Sequence, residues 1–352
     1  MKLLICTQKL DKNDDNLGFF HGWVLEFAKH CERVTVVALF VGAHDLPPNV
    51  RVFSLGKEHG HSRVKYLFNF YRFIIRERDN YDTVFVHMNT EYVLLGAPVW
   101  KLMKKKVGLW YTHKMVNVFL RIAERWADAI FTASKESFRL ASKKVHVMGH
   151  GIDTTLFSLG SEKVDDGVFR IVSVGRISPV KNYETLIDAV ALLDVPPQLI
   201  EVLIVGGPGT PEQEEYLHKL EAYARHSKFG DRIFFVGAVP SRGTLPYLRG
   251  ADVFVNTSRT GSLDKAVLEA MATGIPVITS NEGLGAVLER FRGQCMFADG
   301  DTKAFADRLR VFMAMPKIER EQLGIELRAI VEKSHNLGLL IPRILGHLAA
   351  PS

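Results

Sequence analysis

The chain is predicted to be an α/β protein of two Rossmann-like domains facing each other across a cleft. Its 352 residues exceed the roughly 250 to 300 at which single cores stop growing. Short β-branched or apolar runs alternate with stretches of helical period from one end to the other, as in parallel sheets covered by helices. That alternation restarts after a polar, acidic stretch at 158–167, which reads as a connection. The expected domains are therefore 1–157 and 158–334, with a last helix at about 335–352 able to pack back on the first.

Leu3-Leu4-Ile5-Cys6 reads as a buried strand. After a polar loop, Phe20, Trp23, Val24, Phe27, Ala28 and Cys31 share one helix face. Val34–Leu39 gives the next strand; Thr83–Val86, Val107–Trp110, Ala129–Phe131 and Val145–Val147 repeat the theme, and the first domain ends near Met148. The second series starts with a strand at Phe169, followed by helix Tyr183–Leu193, strand Val202–Val205, helix Pro211–His226 and strand Arg232–Val236. Strand Val253–Val255, helix Lys265–Thr273 and strand Pro276–Thr279 complete it. Ligands of such sheets bind beyond the carboxyl ends of the strands.

Composition, 47% hydrophobic and 24% charged without a biased tract, excludes a disordered or fibrous chain. The first apolar run is too short for a signal peptide and acidic residues follow at once. No run approaches the roughly 20 apolar residues that cross a bilayer, so a cytosolic protein is expected. Cys6, Cys31 and Cys295 fit neither a disulfide framework nor a zinc pattern and read as buried, reduced thiols. Net charge is +6 and uneven: residues 1–160 carry 23 Lys and Arg against 15 Asp and Glu, the remainder 22 against 24. A basic first half suits anionic lipid, nucleic acid or a phosphorylated substrate, or is a solvated face. Nucleic acid is the weakest of these, since no helix-turn-helix, zinc finger or ribonucleoprotein aromatic motif accompanies the charge.

Chemistry concentrates in the second half. The strand at Phe169 ends in Gly175-Arg176, and Lys181-Asn182 follow before the next helix. Gly175 allows close backbone approach, while Arg176 offers a planar fork and Lys181 a mobile point charge, a pair suited to a diphosphate. After strand Val253–Val255 a Gly/Ser loop precedes a helix opening near Asp264. Free amides around Gly261, Ser262 and Leu263, with the helix dipole, can receive phosphate or hydroxyl oxygens, and Asp264 is a good cap. Glu269 lies in the apolar helix LEAMA, where a buried carboxylate needs donors such as the two hydroxyls of a ribose.

Several separate stretches, in order, resemble a retaining glycosyltransferase of family 4, the group-1 type with the GT-B fold. They are Gly149-His150-Gly151-Ile152-Asp153 with Phe157, Gly175-Arg176 with Lys181-Asn182, Val205-Gly206-Gly207-Pro208-Gly209, Val236-Gly237-Ala238-Val239-Pro240, and Leu268-Glu269-Ala270-Met271-Ala272 with Gly274-Ile275-Pro276-Val277. The resemblance covers nearly the whole chain. It implies that Arg176 and Lys181 bind the donor diphosphate, Glu269 the ribose and the backbone near Val239 the base, with Gly207 in the glycine-rich turn between them. The family pattern carries a further Glu eight positions before the helix Glu, where this chain has Gly261. Asp264 and Lys265 are the expected substitutes, and TGSLDK resembles a variant form of the motif. Gly18 resembles a glycine that lets backbone approach the donor phosphates, and His113, just past a strand end, matches a histidine that positions the transferred sugar.

The resemblance implies a nucleotide-sugar donor, UDP favoured over GDP, and front-face transfer of a hexosyl or N-acetylhexosaminyl unit with retention. No Asp-x-Asp motif stands at a strand end, and two cations already face the diphosphate, so no metal or other cofactor is expected. HExxH and the Gly-x4-Gly-Lys motif are absent too. The expected acceptor is a glycan or a lipid-linked molecule. Lys101, Lys104, Lys105 and Lys106, with the aromatic segment Tyr66–Ile75 and its arginines, suggest peripheral association with an anionic membrane. A non-catalytic sugar-nucleotide or membrane-binding module and a sugar-nucleotide epimerase of the same fold are the alternatives. The oligomeric state has no signature in the sequence.

Overall fold

The computed structural model describes residues 1–160 and 166–350, so the middle of the expected connection lies outside the described residues. Contacts divide the chain into two compact units, Met1–Gly151 with Asn336–Ser352, and Ile152–His335. The sequence reading gives 152–157 to the first domain, but these residues are held by the second unit. Ile152 N–H donates to His335 O at 2.7 Å, and the Arg328 guanidinium donates to the carbonyls of Thr154 and Phe157.

In the first unit seven strands, β1 (Lys2–Leu10), β2 (Arg33–Val41), β3 (Val50–Ser54), β4 (Thr83–His87), β5 (Lys106–Trp110), β6 (Ala129–Thr132) and β7 (Val145–Val147), form a parallel sheet in the order β3-β2-β1-β4-β5-β6-β7. Every residue of β4 is buried, as expected of a strand covered on both faces. β1 runs past the apolar stretch read from sequence because its polar tail still pairs, up to Leu10 against Val41. The edge strand β3 has no counterpart in that reading: it is short, follows Pro47-Pro48 and buries none of its residues fully.

Helix α1 (Phe19–His30) joins β1 to β2, while α2 (Arg63–Arg76), α3 (Thr90–Leu102) and α4 (Val118–Trp126) lead into β4, β5 and β6. Parallel crossovers are right-handed, and the step from β1 to β2 runs opposite to the other three, so α1 lies on one face and α2 to α4 on the other. Phe70 of α2 accordingly stacks with Tyr92 of α3, centroids 5.5 Å apart, and α3 packs on α4. The C-terminal helix Leu337–Ala349 joins α1 over β5 and β6. Gly108 makes room for it, since a Cβ there would stand 2.7 Å from Leu348 Cδ2.

The second unit holds β8 (Phe169–Val174), β9 (Ile200–Val205), β10 (Ile233–Gly237), β11 (Val253–Asn256) and β12 (Val277–Thr279), parallel in the order β10-β9-β8-β11-β12. Its helices include α5 (Tyr183–Ala191), α6 (Pro211–Arg225), α7 (Leu245–Gly250) and α8 (Lys265–Ala272). Strand order reverses between β8 and β11. The chain leaves these neighbours in opposite directions, which opens a crevice at their carboxyl ends.

All three cysteines are buried and free, and burial pushes the Cys31 thiol up to about 11 and that of Cys295 to about 12. No helix of the described residues is long and apolar enough to cross a membrane.

Helix Lys317–Ser334 meets the turn after α8 at Gly324, where a Cβ would stand 1.8 Å from Gly274 O. Gly324→Ala gains about 1 kcal/mol of helix propensity but forces two backbones apart at a cost of about 1–3 kcal/mol or more. A net loss of stability is expected in denaturant unfolding; a gain would show that the helix slides away freely.

Candidate functional site

The crevice of the second unit is built from loops that bond to one another at the strand ends. Gly175 N–H donates to Val205 O at 2.9 Å, Ile177 N–H to Gly207 O at 3.0 Å, and Gly206 N–H to Gly237 O at 2.9 Å. Gly206 is the tightest point: its φ is 142°, and a Cβ would stand 2.0 Å from Gly175 O, a backbone atom that cannot turn aside. Gly207 packs almost as closely, its Cβ position lying 3.0 Å from Ala238 Cβ. Val239 follows on the next loop, half-buried beside Gly243. Arg176 is exposed, and its guanidinium lies along Gly209, whose Cβ would be 3.8 Å from Nη1.

The turn Pro179–Lys181 is tied to the loop after β11. Thr257 Oγ1 donates to Lys181 O at 2.6 Å and Arg259 N–H to Val180 O at 2.9 Å. These bonds bring Lys181 to the start of α8, where Nζ donates to Asp264 Oδ2 at 2.7 Å, with the side chains only 15% and 12% exposed. Asn256 Nδ2 donates to the same oxygen at 3.0 Å, and Ala266 N–H to Oδ1 at 3.2 Å, so Asp264 caps α8. Burial pushes its carboxyl up, but the Lys181 charge and these hydrogen bonds outweigh burial and hold it below the usual carboxylate range.

Glu269, one turn on, is buried and paired with Lys265. Burial dominates there and raises its carboxyl above the usual range, Lys265 offsetting part of the rise. Lys265 Nζ also lies over the Phe157 ring, 5.9 Å from its centroid. The loop Gly261-Ser262-Leu263 enters α8 with Gly261 at φ 61°. It is gripped by Asn281, whose Nδ2 donates to Ser262 O at 2.8 Å, and by Gly283, where a Cβ would meet Ser262 C at 2.7 Å.

The structure thus gathers Gly175, Lys181, Asp264, Lys265 and Glu269 at one end of the sheet, with Arg176, Gly207 and Val239 on adjoining loops. Asn256 and Asn281 complete it without having been singled out from sequence. Neutral amides carry no charge signal, and their partners are distant in the chain.

Gly18 and His113 belong to the first unit. Gly18 N–H closes on Asp14 O at 3.2 Å, and a Cβ would stand 2.3 Å from that oxygen, so local packing accounts for this glycine. His113 is exposed beyond β5 and accepts from Met115 N–H at Nδ1, 3.1 Å away. Beside that loop Met88 holds φ 65° while its sulfur accepts from Thr112 N–H and Oγ1 at 3.3 Å. His87 at the end of β4 stacks on Phe20, centroids 4.0 Å apart, and burial lowers it to about 3, which keeps it neutral.

A carboxyl held low in the folded state contributes stability above its unfolded value of about 3.9 and loses it as pH falls through the folded value. Wild type should therefore exceed Asp264→Asn by about 1–3 kcal/mol at neutral pH, with the two converging in strong acid. Denaturant unfolding across pH checks this; a gap that does not change with pH would remove the ion pair from the account.

Residues 168–314 match the family described as glycosyl transferases group 1. The chain is 25% identical over 322 residues to the mannosylfructose-phosphate synthase of Agrobacterium fabrum, covering 78% of this chain and 68% of that protein. It is 31% identical over 208 residues to the D-inositol 3-phosphate glycosyltransferase of Kribbella flavida, covering 55% of this chain and 48% of the relative, about half its length. Among solved structures, that of Anabaena HepE in complex with UDP and glucose superposes with a TM-score of 0.79 at 18% identity, over 100% of both chains. The match spans every residue of the crevice from Gly175 to Glu269. The fold is that of GT-B glycosyltransferases, and within it residues 168–314 match the model of the glycosyl transferases group 1 family.

Proposed function

We propose that the chain moves a hexosyl or N-acetylhexosaminyl unit from a nucleoside-diphosphate sugar, UDP before GDP, to a glycan or lipid-linked acceptor, with retention and without a metal. The observation that carries this reading is the meeting of the Gly175–Lys181 loop with the capped start of α8, inside the segment that matches the glycosyl transferases group 1 model. Arg176, exposed against Gly209, and Lys181 would neutralise the departing diphosphate, and such aligned charge supplies most of the rate in a reaction without a carboxylate nucleophile. The leaving phosphate itself would take the acceptor's proton. Glu269 is assigned to the ribose and the backbone at Val239 to the base.

Asp264 is assigned to the transferred sugar in place of the carboxylate missing at Gly261. A carboxylate offers about four lone-pair sites; Lys181, Asn256 and the Ala266 amide occupy three, which leaves room for a sugar hydroxyl. The amides of Ser262 and Leu263 and the Lys265 ammonium are further donors beside it. His113 is assigned to position the sugar, and Gly18 to letting the backbone approach the donor phosphates. HepE, the structural neighbour, binds UDP and glucose, which supports UDP as the first nucleotide to test. A peripheral position on an anionic membrane completes the proposal, motivated by the basic first half.

A thermal-shift screen of UDP, GDP and their sugars tests the donor site. One nucleotide should stabilise the wild type by about 2.7 kcal/mol at a hundredfold excess over its Kd, and Arg176→Ala should lose most of that stabilisation. Equal stabilisation of both proteins would remove Arg176 from the diphosphate.

A further inference from the structure

On the sheet face opposite α1, the outer surfaces of α2 and α4 are apolar where a soluble helix would be polar. Val64, Leu67, Phe68 and Ile75 are exposed and recur at the spacing of one helix face. The core side of α2 is another face, carried by Asn69, Phe70 and Ile74. Val64 is 78% and Phe68 58% exposed, and on α4 Val118 is 67% and Phe119 50% exposed. Among the described residues, the exposed large hydrophobics of this unit all lie on α2 to α4 or the turns at their ends, apart from Val147 and Leu339. Scattered apolar side chains need no explanation, but a contiguous face does.

Charge selects the occupant. α2 contains Arg63, Lys65, Arg72 and Arg76 and not one Asp or Glu, and Lys114, Arg121 and Arg125 border the stripe of α4. A two-fold interface with a second copy would set these cations against one another; an anionic surface would not. The lysine cluster read from sequence contributes less than it promised. Lys105 donates to Tyr81 O, Lys106 to Ala350 O and Lys101 to Asp128, which leaves Lys104 exposed at the end of α3 beside Leu102.

We propose that the outer face of α2 to α4 docks on a bilayer containing anionic lipid. Phe68 and Phe119 enter the boundary between headgroups and acyl chains, and the flanking cations sit at headgroup level. This deepens the membrane reading above by naming the surface. The same face borders His113, because the 111–115 loop runs directly into α4 and Tyr111 Oη–H donates to Met115 O at 3.0 Å. A lipid-linked acceptor would thus arrive beside the residue assigned to the sugar.

The test is co-sedimentation with phosphatidylcholine vesicles, with and without phosphatidylglycerol, at low and high salt. Wild type should bind the anionic vesicles and release as salt rises. Val64→Ser with Phe68→Ser, and Val118→Ser with Phe119→Ser, should each weaken binding about tenfold or more; Arg72→Gln with Arg121→Gln should weaken it about thirtyfold. Val311→Ser with Ile318→Ser, on an exposed part of the second unit, should leave binding unchanged. All variants should keep the wild-type melting point and any nucleotide-induced shift, so failure of docking is separable from failure of the donor assignment. The proposal is overturned by absence of binding to anionic vesicles at low salt, or by equal loss in the control pair. A lipid-free dimer in sedimentation velocity that the α2 and α4 variants dissolve would overturn it too.

Discussion

The Asp264 carboxylate, held between the Lys181 ammonium, the Asn256 side-chain amide and the Ala266 amide of α8, is the interaction on which the second unit's crevice depends. It joins the loop leaving β8 to the loop leaving β11, the two strands between which chain direction reverses. A buried ion pair is weak grounds for stability, because desolvation offsets most of the attraction. Its role is to set register: once Lys181 is fixed, Gly175 and Tyr183 are fixed with it, through the Tyr183 hydroxyl donating to Gly175 O at 3.1 Å. The carboxylate stands where a cation and a helix N-terminus would jointly attract an anion, so the free chain satisfies its own anion-seeking groups. A ligand diphosphate would have to share Lys181 with Asp264, while Arg176 stays free of that contest on the outer lip.

What was legible in the sequence follows from where charge and glycine interrupt apolar runs. In the second unit β8 and β9 run into Gly175 and Gly206, β10 ends at Gly237 and β11 at Asn256, so these strands stand close to where the pattern puts them. Lys181 stood out as a cation in a strand-to-helix loop, Asp264 as a helix cap and Glu269 as a carboxylate in an apolar helix that demands partners. Which partners they take was not legible. Lys181 and Asp264 are paired across 83 positions, and no local rule links them. Asn256, Asn281 and Gly283 shape the loop before α8 by neutral hydrogen bonds and close backbone contact, which leave no periodicity to read. In the first unit β3 was missed because an edge strand needs no buried face. The lysines at 101–106 misled in the other direction, since most reach back to carbonyls or a carboxylate that only the fold supplies.

Two carboxylates five positions apart are driven in opposite directions, and this division bears most directly on chemistry. Asp264 has three donors and remains ionised; Glu269 has one ion-pair partner and is deeper, so burial raises it. Pairs of titratable groups whose surroundings push them apart mark a division of roles. The carboxylate with three donors holds geometry, and the one with fewer has the greater demand for additional hydroxyl donors. The demand for further donors is therefore greater at Glu269, while Asp264 keeps one lone-pair site open. Asp264 in turn keeps the cation loop and the helix start together through Lys181, Asn256 and the Ala266 amide.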